Sequence, residues 1–327
     1  MSKEEIDLDG YDTPKDEQDT NNLAKNQIDL SAETKGLTNE QLLDFYISSS
    51  EDKLNPWEEA SLPSRGLYYN WPDGIVQVKA MGTAAEKILA NQRLAQDGQS
   101  IDYLFKECVR LQGGMDPTEL LVGDRVFLLF YLRGITHGNL YEFLFTCPNE
   151  ACGEQSTHEY DLNNLANTII YADPKLGQEP FDITLPHISE IFKRDISVGL
   201  RFLRAYDIND MVAKRRARKK MFAKPATVRN RRDKAIAQPA QEADTMLTDN
   251  LAKMIVHVAG VTDPYRISEF VERMHARDSA EIREWMKEHT PGIDNTVTLD
   301  CPKCGKDYNI ELPITEGFFR PSKSVRM

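Results

Sequence analysis

The sequence predicts an α+β fold: a helical and short-strand body closed by a split four-cysteine zinc ribbon. Three observations carry this expectation. Capped helical stripes fill much of the first half of the chain and return in its last third. Short β-type runs bounded by turn residues lie between and beside them. Two Cys-Pro knuckles, one starting at Cys147 and one at Cys301, each sit between two such runs. At 327 residues the chain is long enough for about two ordinary domains. Its 40% hydrophobic and 28% charged residues allow a buried core and exclude collagen-like or wholly disordered classes. No period of about 20–50 residues repeats, which excludes a solenoid.

Thr38 and Gln41 stand at capping-box spacing ahead of Leu42, Leu43 and Phe45, so ordered structure is expected from near Thr38. In SLPSRGLYYNWPDGIVQVKAM, Pro72-Asp73-Gly74 reads as a hairpin turn between residues 67–69 and 75–78. Thr83 with Glu86 forms a second capping box before Ile88, Leu89 and Leu94. Ser100 heads a helix whose stripe is Ile101, Leu104, Phe105, Cys108 and Leu111. Asp116-Pro117 is a cap-then-proline start, Gly123 an interruption, and Asp124 a restart for VFLLFYLR. Strands are predicted at NLYEFLFT and STHEYDLN, then at TIIYAD, FDITLP and DISVGLRFL. A long helix begins near Asp207. Another is expected over residues 245–258, with Leu247, Leu251, Met254, Ile255 and Val258 on one face and Gly260 as its stop. ISEFVERM and a helix capped by Asp278 or Ser279, carrying Ile282, Trp285 and Met286, come next. TVTLD and YNIELP flank the second knuckle as strands.

Charge is unevenly spread. The formal net charge of −12 argues against a nucleic-acid wrapper. Residues 1–35 hold ten acidic and four basic side chains with almost no apolar periodicity, so residues 1–36 are expected to form a disordered acidic tail. From Lys214 to Lys234 the sign reverses: eleven basic residues and one acidic one give +10, leaving −22 on everything else. Residues 212–245 should therefore protrude as a basic insertion from a single discontinuous domain spanning 37–322. KRRARKKMF extends a helix outward until Pro225 breaks it. Two readings of the block stand. In one it is a solvated loop or helix tip that docks on acidic surfaces of partners or of its own chain. In the other, Lys214, Arg215, Arg216, Arg218, Lys219, Lys220, Arg229, Arg231 and Arg232 contact nucleic acid, with binding that falls steeply with salt. Only Phe222 offers base stacking inside the block.

Five cysteines, unevenly spaced, do not make a secreted disulfide scaffold. Cys147-Pro-Asn-Glu-Ala-Cys152-Gly and Cys301-Pro-Lys-Cys304-Gly share one design: strand, Cys-Pro, spacer, Cys-Gly, strand. Such spacing supplies two soft ligands from one tight turn, and two turns complete a tetrahedral zinc site. Proline stiffens the turn, while glycine permits the positive φ that aims backbone N–H groups at sulfur. Cys147, Cys152, Cys301 and Cys304 are thus the expected ligands of a structural Zn2+, with knuckles near 147–153 and 301–305. A redox pair would belong to a βαβ pattern, which is not the setting here. A closed shell of four thiolates also leaves no coordination position for catalysis. The pairs are separated by 148 residues. Closing so long a segment costs about 5 kcal/mol in chain entropy, against about 10–16 kcal/mol from structural zinc in small peptides. Cys108 lies on an apolar helical stripe and reads as a core thiol.

Neither a dinucleotide nor a phosphate-binding glycine motif occurs, nor H-E-x-x-H, nor G-x-S-x-G. Histidines 137, 158, 187, 257, 275 and 289 form no cluster at ligand spacing. A non-enzymatic protein is expected. There is no apolar run of about 18 residues, and MSKEEIDLDG lacks a basic-then-apolar leader, so no membrane contact is expected.

Several segments together resemble the baseplate hub assembly proteins of T-even-like tailed bacteriophages. They are SLPSRGLYYNWPDGIVQVKAM with AAEKILANQ and SIDYLFKECV, then GDRVFLLFYLRGITHG before the first knuckle, and the ending TLDCPKCGKDYNIELPITEGFFRP. The resemblance spans roughly residues 50 to 322, while the acidic tail and the basic block are longer than the family pattern. It implies a structural or assembly role in the hub of a phage tail baseplate. The partners would be other baseplate hub and tail proteins, and the sites of action the host cytoplasm during assembly and the virion tail. It carries no catalytic residue over. The alternative from the residues alone is a zinc-ribbon nucleic-acid-binding regulator using residues 214–234.

Overall fold

A computed structural model describes residues 29–69, 71, 73–222 and 247–320, with residues 218–222 and 316 described by backbone alone. The expected tail at 1–28 and the return of the basic insertion at 223–246 lie outside the described residues. Helices and short antiparallel strands are mixed along the chain. Described structure begins ahead of Thr38, which corrects the expected boundary. The Asp29 carboxylate accepts the Ser31 N–H at 2.9 Å and opens α1 (Ser31–Thr34). Glu33 then pairs with Lys53. The capping box is present at α2 (Asn39–Ser48), where Thr38 N–H donates to Gln41 Oε1 at 2.9 Å. After α3 (Glu51–Leu54), Lys79 is buried between Glu51 at 2.6 Å and Glu107 at 3.0 Å.

The first sheet runs β1 (Glu58–Ser61), β2 (Ile75–Val78), β3 (Val109–Arg110), all antiparallel. The hairpin partner of β2 is thus β1, and residues 67–69 are not a strand. The reason is tertiary. Successive turns bring Arg65 N–H to Leu62 O, Leu67 N–H to Ser64 O and Tyr69 N–H to Gly66 O. These turns let Tyr68 pack with Phe181 and Phe202, and Tyr69 with Trp71. Helices α4 (Thr83–Leu89), α5 (Gln92–Asp97) and α6 (Ser100–Cys108) follow. Thr83 and Ser100 are first helical residues rather than caps, those positions being held by Gly82 and Gln99. Asp116 does cap, but only a 3-10 turn at Pro117–Glu119.

Gly123 is no interruption, since α7 (Val122–His137) runs straight through it. A Cβ there would stand 1.8 Å from the carbonyl oxygen of Pro291 and 2.9 Å from the Cα of Gly292. Two backbones cross at van der Waals contact, and only glycine permits it. The next residue, Asp124, is fully buried. Its carboxylate accepts Ser64 N–H at 2.9 Å and Tyr69 O–H at 2.8 Å, and Tyr69 Oη accepts Leu121 N–H at 2.7 Å. The 61–71 loop is thereby locked onto the start of α7.

β4 (Leu140–Thr146) and β5 (Gln155–Asp161) form one hairpin, β11 (Thr296–Asp300) and β12 (Asp307–Glu311) another. Their inner faces carry Tyr141, Phe143, Phe145, Val297 and Leu299 into a core shared with α6 and α7. Their outer faces are exposed and mixed, with Leu140 and Leu144 of β4 beside charged and polar residues. Glu142 stands opposite Glu159, and Asp300 opposite Asp307. α13 (Glu316–Phe319) seals this core through Phe318 against Phe130 and Tyr141. A second core gathers on β7 (Phe181–Thr184), β8 (Ser197–Leu200) and β9 (Ile255–Val258), with α8 (Pro186–Phe192) joining β7 to β8. β6 (Ile169–Ile170) pairs with β10 (Gly292–Ile293). α9 (Ala205–Phe222) is anchored at its base, where Asp207 receives two N–H bonds from Arg201 at 2.7 and 2.8 Å. Among the described residues α10 covers 247–254 and ends there. The stretch expected to continue it is β9, because Ile-Val-His-Val is a β-branched run beside the free edge of β8. α11 (Pro264–Glu272) and α12 (Ala276–His289) complete the body. His275 caps α12, and Asp278 instead accepts His187 N–H at 2.7 Å.

Gly123→Ala is expected to destabilise the protein by about 3 kcal/mol or more, since the overlap is with backbone. Gly82→Ala, with nothing within 4 Å of the added carbon, is the control expected to lose no more than about 1 kcal/mol of capping preference. Equal denaturation midpoints for the two variants would refute the crossing. Burial, the dominant influence, pushes the Asp124 carboxyl from 3.8 up to about 6, against the bonds from Ser64 and Tyr69. The folded value lies above the unfolded one, so this contribution is full below about pH 4, falls as pH rises toward 6, and is flat beyond. The wild-type stability relative to Asp124→Asn should therefore drop across that window by up to roughly 3 kcal/mol. A pH-independent difference would contradict it.

Candidate metal centre

Each hairpin delivers its knuckle by the same ladder. The last rung of the first is Cys147 N–H to Glu154 O at 2.8 Å, and of the second Cys301 N–H to Lys306 O at 3.0 Å. Gly153 and Gly305, at φ +56° and +64°, turn the chain back in the left-handed region. The longer first spacer is folded by Asn149, whose carbonyl accepts the N–H groups of Cys152 at 2.8 Å and Gly153 at 2.9 Å. Its side chain accepts Ala151 N–H at 3.2 Å.

The two knuckles meet. Cys147 Sγ lies 3.8 Å from Cys304 Sγ, and Cys152 Sγ 3.8 Å from Cys301 Sγ. All four sulfurs lie within 4.8 Å of one another, so they could hold a metal ion. A tetrahedron with metal–sulfur bonds of about 2.3 Å has sulfur–sulfur edges of about 3.8 Å, the separation of the two close pairs. Cys147 and Cys301 are buried, and Cys152 and Cys304 half-buried. Lys306 N–H is directed at the Cys304 sulfur and draws that thiol down to about 7. Glu154 N–H acts the same way on Cys152, but burial and the three neighbouring sulfurs outweigh it and lift that thiol to about 11. The aiming of N–H groups at sulfur that the Cys-Gly steps imply is therefore present.

Around the sulfurs lie residues that the spacing pattern did not single out. Lys303 on one knuckle pairs with Glu154 on the other at 2.8 Å. Tyr308 Oη lies 3.7 Å from Cys147 Sγ. Opposite charges beside equivalent knuckles were the available signal for the first pair. Cys108 stands apart, its thiol pushed up to about 12 by burial, as a core residue should be. Arg133 is buried and ties the end of α7 to β4, donating to Gly138 O at 2.7 Å and Leu140 O at 3.0 Å.

Of the nine cationic candidates, three have described side chains. Lys214, Arg215 and Arg216 lie on α9 with described side chains. Lys214 pairs with Asp210 at 2.9 Å, and Arg216 lies against Gly98 beyond α5. Arg218, Lys219 and Lys220 are placed on the same helix by backbone alone, and Arg229, Arg231 and Arg232 fall outside the described residues. Among the described residues no helix is long and apolar enough to cross a membrane.

Paired hairpins whose Cys-Pro knuckles converge on one point define a protein of mixed helices and antiparallel strands organised around a thiol cluster. The family model described as T4 bacteriophage base plate protein matches residues 66–320. The chain belongs to this family, and is accordingly a structural protein of the phage tail baseplate whose partners are other tail proteins. Comparison with curated proteins and with solved structures gives no match.

With metal chelated, mild oxidation should join Cys147 to Cys304 and Cys152 to Cys301, because these sulfurs are the close pairs. Peptide mapping by mass spectrometry that found only Cys147–Cys152 and Cys301–Cys304 bridges would contradict the arrangement.

Proposed function

We propose that the chain is a structural or assembly component of the baseplate hub, acting by protein–protein contact and stapled by a structural Zn2+ on Cys147, Cys152, Cys301 and Cys304. The observation that supports the staple is the cluster of four sulfurs contributed by cysteine pairs 148 residues apart. Zinc bound there supplies cross-linking and no reaction, since four thiolates leave it no open position. The protein's own residues do the rest. The glycine steps aim N–H groups at sulfur, and the Lys303–Glu154 pair bridges the knuckles at the surface.

In this reading residues 37–322 form one discontinuous domain with a split ribbon. The acidic stretch ahead of α1 is its tail, and residues 212–245 are its basic insertion. Assembly takes place in the host cytoplasm before the protein joins the tail. Nucleic-acid binding through 214–234 gains no support from the described part of that segment, where Lys214 is held by Asp210.

The purified full chain should carry one zinc, and the cobalt form should show the intense absorption of complete thiolate ligation. Cys301→Ser should lose the metal, melt lower, and fail to co-purify with hub proteins of its phage. A metal-free wild type with an unchanged melting midpoint would sink the staple. Binding to tail proteins outside the hub but to none within it would sink the hub assignment.

A further inference from the structure

α2 is built the wrong way round for a helix that rests on its own protein. At about 100° per residue, Leu42, Leu43, Tyr46 and Ile47 share one arc of about 140°. That arc faces solvent, with Leu43 58%, Tyr46 63% and Ile47 71% exposed, and no residue of the helix is buried. Phe45, on the other side, is half-buried beneath the Lys53 ammonium, 4.9 Å from its ring centre. Glu40 and Asp44, one turn apart, border the apolar arc along one edge.

We propose that this face docks into an apolar groove with a cationic rim on another protein of the phage tail. The acidic edge selects the rim by charge complementarity. Area selects a groove over a second copy of the chain. Ten residues span about 15 Å, and a twin helix laid alongside would cover one side of so short a stripe. Stable pairs bury about 1,200–2,000 Å² in total. A groove encloses the helix and takes Leu43, Tyr46 and Ile47 as anchors at helical spacing. The family match begins at residue 66, so this contact is additional to whatever the matched body makes. The inference rests on the baseplate assembly reading for the identity of its partners.

The test uses the full chain with Tyr46 replaced by a photo-reactive phenylalanine analogue, co-expressed with the other tail proteins of its phage. Cross-links should map to an apolar groove flanked by lysine or arginine on one of those proteins. Tyr46→Ser with Ile47→Ser should weaken that complex by about tenfold or more at an unchanged melting midpoint, because both residues are exposed. Glu40→Lys with Asp44→Lys should weaken it less and reduce its salt dependence. Cross-links confined to residues 212–245 of the same chain, or to a second copy, would overturn the inference. So would a serine variant that binds as wild type does, and that result would leave the assembly reading intact. If the wild type binds no tail protein, both fall.

Discussion

Four sulfur atoms from two places 148 residues apart come within 4.8 Å of one another, and much of the architecture is arranged around that meeting. Four neighbouring thiolates repel and four neutral thiols attract only weakly, and a cluster so close could hold a cation. The rest of the chain makes the meeting sterically possible. β6 and β10 pair just inside the two hairpins, so the long intervening segment leaves and returns at one point. At that point Pro291 and Gly292 pass over Gly123 with no room for a side chain. A cluster of sulfurs, a rung of backbone and a glycine crossing thus gather at the same closure.

The second core depends on this closure differently. It has its own sheet, β7–β8–β9, and its own aromatic cluster of Tyr68, Phe181, Phe202 and Trp285. Tyr68 and Tyr69, adjacent in sequence, send their rings to different partners, Tyr68 to Phe202 and Tyr69 to Trp71. Asp124 holds the loop that makes this possible. α9 is fixed at its base by Arg201 and Asp207 and tied to α10 by Lys253 and Asp210 at 2.6 Å. The basic helix is also held on its other side, where Asn209 Nδ2 donates to Asp102 Oδ2 of α6 at 2.9 Å.

What could be read from residue order was local chemistry. The capping box at Thr38, the strands beside each knuckle and the four cysteines depend on neighbours a few positions away, and their patterns are short-range. What could not be read depended on distant partners. Gly123 looks like a break unless Pro291 is known to lie on it. Residues 67–69 look like a strand until Asp124 ties Ser64 down. Ile255 continues a helical stripe as well as it starts a strand, and the edge of β8 decides between them. Asp278 has the composition of a cap, yet its carboxylate serves His187 across the interface with α8.

The outer faces of the two hairpins carry a cost with a purpose. Glu142 opposite Glu159, and Asp300 opposite Asp307, are like-charge neighbours, each unfavourable by a few tenths of a kcal/mol or more. Two-stranded ribbons also leave main-chain edges open to pairing with other ribbons. Carboxylates on those faces repel identical molecules at the distance where such pairing begins. The like-charged rungs thus disfavour the approach of one hairpin to its own copy, while Leu140 and Leu144 stay exposed on β4.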